Sequence, residues 1–142
     1  MVNFHYETEN LPGPKETKVV ANWLTDIAKN HKKEVVNLSY VFCTDDYLLN
    51  LNQKHLKHDT YTDIITFNNA DNEHQIEADI FISLERVKEN ASTFRTTYQN
   101  ELHRVLVHGL LHLLGNNDKT PGEKKKMTEL ENNALSNLKR FT

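Results

Sequence analysis

The stretch ELHRVLVHGLLHLLGNNDK, residues 101–119, constrains this chain more than any other. Leu102, Val105, Leu106, Leu110, Leu113 and Leu114 recur at the spacing of a helical face, so a helix from about Tyr98 to Leu114 must lie on a core. Gly115 then stops it, because glycine most readily takes the left-handed conformation that ends a helix. On this helix His108 and His112 sit four residues apart and leave the same face, close enough to hold one ion. Two histidines one turn apart also occur on ordinary helix surfaces. Here, however, eight histidines fall in 142 residues, and three of them, His103, His108 and His112, fall within ten. The reversal at Gly115 also lets Asp118 return across the helix end as a third arm. Two imidazoles and a carboxylate leave a position open for water, the catalytic pattern of zinc. One Zn2+ on His108, His112 and Asp118 is therefore the expected cofactor, with iron able to use the same ligand set.

The rest of the chain supplies something for that helix to pack on. VNFHYE (2–7) alternates as a strand, and LPGP (11–14) is a turn that places Pro14 near the start of a helix running to about Asn30, with Val19, Val20, Trp23, Leu24, Ile27 and Ala28 inward. VVNLSYVFC (35–43) reads as a strand. Thr44 is an N-cap opening a short helix to about Gln53. TDIITF (62–67) and ADIFIS (78–83) are further strands joined by a polar hairpin-like return. Ser83 caps a helix over 84–91, and Thr120, Pro121 and Glu123 form a capping box that opens a last helix with Met127, Leu130, Ala134, Leu135 and Leu138 buried. Strands and helices thus mix in an α+β fold, a small mixed sheet of about four strands packed with helices, as one domain over residues 1–142.

Composition narrows the function. With 37% hydrophobic and 26% charged residues the chain can fill one core, and no apolar run approaches the roughly 20 residues of a membrane span. Neither a basic-then-apolar leader nor a pair of cysteines is present, so a reducing cytoplasm is the expected location, with Cys43 a buried thiol. A formal net charge of −3 excludes coating nucleic acid by bulk charge and leaves room only for a local basic groove. Lys54, Lys57, Arg86, Lys88, Arg104 and Lys119 are its candidate members, whereas Lys124, Lys125 and Lys126 read as a solvated helix face. Glu101 and Arg104 precede His108 by seven and four residues on nearly the same stripe, which makes Glu101 a candidate base or outer acceptor. Gly109 stands where the metalloprotease helix HExxH carries its glutamate base, which argues against a peptidase.

HGLLHLLG followed by a ligand three residues after the glycine resembles the HGxLHLxGxxH signature of the YbeY family of bacterial rRNA maturation endoribonucleases. LNQKHLKHDTYTDIITF (51–67) is similar to that family's LN and TDVLSF segment, and EADIFIS (77–83) to its GDIxIS strand, in the same order, so the resemblance runs from about Ser39 to Leu135. It implies an α+β fold, a zinc ion held by the helix and the following turn, and hydrolytic, single-strand-specific cleavage of RNA. It also implies work in small-subunit rRNA processing and ribosome quality control, with ribosomal or assembly proteins as partners. By position the ligands are His108, His112 and Asp118, Thr62 and Asp63 fall on the family's TD pair, and Asp79 on the aspartate of its GD pair, here after Ala78.

Two positions depart. Asp118 replaces the family's usual third histidine, which lowers the formal charge of the site by one and predicts a less acidified water. The family's phosphate-contacting arginine corresponds to Leu56, with Lys57 and His58 beside it as substitutes, a lysine being a point charge without the bidentate grip of a guanidinium. Lys57, His58 and Glu101 are thus the candidate catalytic residues, and Lys57 and Arg104 the candidate substrate contacts. A zinc peptidase or amidohydrolase, and a non-catalytic ribosome assembly factor with a structural metal, are the rival readings.

Overall fold

The structure, a computed structural model, describes residues 1–56 and 62–141. Lys57 and His58 lie outside the described residues, as does the side chain of Leu56. Among the described residues four strands form one mixed sheet: β1 (Val2–Tyr6), β2 (Glu34–Cys43), β3 (Ile64–Asn68) and β4 (Gln75–Ser83), in the order β1-β2-β4-β3. β1 runs parallel to β2 and β2 to β4, while β3 returns antiparallel along β4 with Ile65 opposite Phe81. Among the described residues five α-helices accompany it: α1 (Thr17–Asn30), α2 (Asp45–Leu51), α3 (Leu84–Thr93), α4 (Tyr98–Leu113) and α5 (Pro121–Leu138). This is the α+β arrangement that the mixed periodicities predict.

Alternation along β4 sets the two faces. Ile76, Ala78, Ile80 and Ile82 are buried and join Leu38, Tyr40 and Phe42 of β2 in a core with Trp23 and Leu24 of α1, Leu102, Leu106 and Leu110 of α4, and Met127 and Ala134 of α5. The opposite face carries a smaller cluster of Cys43, Leu48 and Ile65 with Leu51, Phe67 and Phe81. Two buried hydrogen bonds lock helices to this frame: the Tyr40 hydroxyl donates to the Leu106 carbonyl at 2.7 Å, and Trp23 Nε1 donates to the Ala134 carbonyl at 2.8 Å.

Local signals placed most helix ends. Thr44, Ser83, Thr97 and Thr120 each cap a helix through the side-chain oxygen. The capping box of Thr120 and Glu123 is complete, with proline in the first turn. α1 differs from expectation: it begins at Thr17, because Glu16 takes a left-handed conformation (φ 51°) that cannot continue into a helix from Pro14. α2 ends at Leu51 and passes into a π-helical turn, Asn52–Leu56. Among the described residues no helix is long and apolar enough to cross a membrane.

Candidate metal centre

α4 lays Leu102, Leu106 and Leu110 into the core and leaves His108 and His112 half-exposed at its C-terminal end. The helix stops in a paired-bond cap: the Gly115 amide donates to the His112 carbonyl at 3.0 Å and the Asn116 amide to the Leu111 carbonyl at 3.1 Å, with Gly115 at φ 97°. That turn sends residues 116–120 back over the helix end, where the capping box of α5 pins them, and so carries Asp118 to the two imidazoles.

His108 Nε2 lies 3.1 Å from His112 Nε2, and Asp118 Oδ2 lies 3.4 and 3.5 Å from those two nitrogens. A tetrahedral zinc with ligand bonds of about 2.05 Å holds its donors about 3.3 Å apart, so the triangle has the dimensions of a metal's ligand set. Its chemistry agrees. His108 Nδ1–H donates to Glu131 Oε2 at 2.6 Å, which turns the Nε2 lone pair toward His112 and Asp118. Three electron-pair donors this close repel one another unless a cation lies among them. Burial opposes charge on His108, but the hydrogen bond and charge of Glu131, with Asp118 and Asp63, outweigh it and raise its pKa above the usual histidine value. The residues present fit a metal ion.

Glu131 is the functional residue that sequence reasoning passes over. It is 6% exposed and gives its second oxygen to Arg104, whose Nη1 donates at 2.9 Å while Nη2 donates to Asn132 Oδ1 at 2.8 Å. The signal was available: Glu131 falls four residues after Met127 and three before Ala134, a charge on the apolar stripe of α5. Arg104, expected at a phosphate, is therefore joined to α5.

Beside the triad lies a cavity of about 300 Å3 whose walls include Asp63, Glu101, Arg104, His108, Asp118 and Lys124. Glu101 is 4% exposed, and burial pushes its carboxyl pKa above the usual value against the pull of Arg104. Of the residues on the TD and GD pairs, Asp63 reaches this cavity, Thr62 donates to the Ile64 carbonyl at 3.3 Å, and Asp79 accepts from Asn69 at 3.3 Å. Arg86 on α3 faces Asp45 of α2 and Glu89 of its own helix at 3.3 Å each, and Lys88 shares α3; neither lines the cavity. Lys124, expected on a solvated face, does line it. His103 turns away to the edge of Trp23, with ring centroids 6.0 Å apart, and burial lowers its pKa.

Gly109 has a steric reason. A Cβ there would stand 2.9 Å from Ile64 Cδ1 and 3.0 Å from Ile80 Cδ1, so the position of the HExxH glutamate is pressed onto β3 and β4.

An α+β fold that brings two histidines of one helix and a carboxylate of the turn after it together beside an acid-lined cavity presents a group of side chains that could hold a metal ion. Residues 1–139 match the family model described as endoribonuclease YbeY. The chain is 52% identical over 138 residues to an endoribonuclease YbeY of Cytophaga hutchinsonii, covering 97% of this chain and 96% of that protein. It is 45% identical over 137 residues to that of Parabacteroides distasonis, covering 96% and 95%. The solution structure of TM1509 from Thermotoga maritima superposes with a TM-score of 0.68 at 26% identity, covering 97% of this chain and 89% of that one. The chain belongs to the endoribonuclease YbeY family.

Proposed function

We propose that this protein is a zinc-dependent endoribonuclease that hydrolyses phosphodiester bonds in single-stranded RNA, acting as one domain in the cytoplasm during small-subunit rRNA maturation and ribosome quality control. The observation that carries this reading is the 3.1–3.5 Å triangle of His108, His112 and Asp118 opening on the cavity that holds Glu101. The family supports RNA as the substrate, and ribosomal or assembly proteins are the partners such work requires. A divalent ion held by the triad supplies Lewis-acid charge to the phosphoryl group and acidifies water.

The chain's own groups do the rest. Glu101, buried and with a raised pKa, accepts the proton of the attacking water as the new P–O bond forms, and returns it to the oxygen that leaves as the old P–O bond breaks. Glu131 orients His108, and Arg104 orients Glu131. The closed position after His108 leaves a peptidase without its usual base.

Cleavage of a labelled single-stranded RNA by wild type and His112→Ala tests the reading, with circular dichroism to follow the fold. An intact fold with cleavage abolished in the variant is the expected outcome. A wild type that binds metal yet cuts no RNA would favour the assembly-factor reading with a structural metal.

A further inference from the structure

The cavity beside the triad has a charge balance that an RNA phosphate must satisfy. Among the described residues, its walls bring four carboxylates, Asp63, Glu101, Asp118 and Glu131, and two cations, Arg104 and Lys124. Arg104 is committed: its terminal nitrogens donate to Glu131 and Asn132 at 2.9 and 2.8 Å, so its charge answers that of Glu131. No hydrogen bond or ion pair engages the Lys124 ammonium among the described residues.

The helix explains where that ammonium stands. Lys124, Met127, Thr128 and Glu131 follow the i, i+3, i+4, i+7 spacing of one face of α5, and all four line the cavity. Met127 and Glu131, 2% and 6% exposed, seal the inner part of this face against α4 and leave Lys124 at its outer end. Lys125 and Lys126 are exposed on other faces of the same turn.

We propose that Lys124 is a phosphate-contacting residue of this site, its ammonium binding the non-bridging oxygens of the phosphodiester seated in the cavity. The lining, taken as ionised, has two negative charges in excess. A divalent ion on the triad cancels them, and removing Lys124 leaves one negative charge facing an anionic ligand. The inference rests on the RNA-cleaving reading, and the experiment separates the two.

Binding of a fluorescent single-stranded RNA made non-cleavable by backbone substitution is measured by anisotropy from about 50 to 200 mM salt. Wild type, Lys124→Gln and Lys125→Gln are compared, with zinc content and cleavage of the native RNA determined in parallel. Lys124→Gln is expected to weaken binding about tenfold at the low-salt end and to lower the salt slope by about one, with zinc content unchanged. Lys125→Gln leaves all of these as in wild type. Equal binding and slope in the two variants would overturn the assignment of Lys124 while wild-type cleavage keeps the catalytic reading. RNA binding that depends on Lys124 without any cleavage would overturn the catalytic reading alone, and a wild type that binds no RNA would overturn both.

Discussion

Glu131→Gln changes a carboxylate oxygen to an amide nitrogen with almost no change of shape, at a residue only 6% exposed. The carboxylate now accepts from two donors, His108 Nδ1 at 2.6 Å and Arg104 Nη1 at 2.9 Å. An amide offers one acceptor and one donor face, so one of those partners must meet an N–H. Arg104 has only donors and cannot adapt, whereas the imidazole can move its proton from Nδ1 to Nε2. Nε2 is the atom 3.1 Å from His112 that the metal requires as a lone pair. Metal affinity should fall about 10–100-fold, the usual cost of losing such a partner, which corresponds to roughly 1.4–2.7 kcal/mol. The metal-free protein should also lose about 1.5–3 kcal/mol with its charge-assisted hydrogen bond. Competition with a zinc chelator at fixed pH measures the first effect and thermal unfolding the second, with Glu129→Gln on the exposed side of α5 as control. If Glu131→Gln binds zinc as tightly as wild type, the argument that Glu131 sets the His108 tautomer is wrong.

Tyr40→Phe removes the hydroxyl that meets the Leu106 carbonyl at 2.7 Å in a fully buried place, and should cost about 1–2 kcal/mol in denaturant unfolding with zinc content unchanged. Cys43 should resist iodoacetamide at pH 8 in the folded protein and react once denaturant is added, because burial, with Glu7, Asp45 and Glu85, pushes its thiol pKa up to about 12. Asp118→His adds one unit of positive charge to the ligand set and should move the rising limb of the pH–rate profile to lower pH; an unmoved limb would mean that it reports another group.

The parts legible in the sequence are those whose cause is local. Gly115, Thr120 and Glu123 mark the end of α4 and the start of α5 within a few residues, and because His108, His112 and Asp118 lie on either side of that junction, the triad could be read directly. The order β1-β2-β4-β3 could not, since it depends on pairings between distant strands. For the same reason β4, expected from Ala78, begins at Gln75: the backbone ladder with Glu34 and Val35 recruits residues whose polarity resembles a loop. β3 starts at Ile64 instead of Thr62, where its pairing with Ile82 begins. Glu131 and Lys124 reach the site from α5, and how that helix lies on α4 is a property of side-chain packing rather than of spacing.

Metal content by elemental mass spectrometry, for wild type beside His112→Ala and Asp118→Ala purified without chelators, tests the central claim most directly. The account predicts about one ion per chain in the wild type, zinc predominating, and its loss from both variants while circular dichroism shows the fold retained. A wild type without metal, or variants that keep it, would contradict the assignment of His108, His112 and Asp118 as the metal centre.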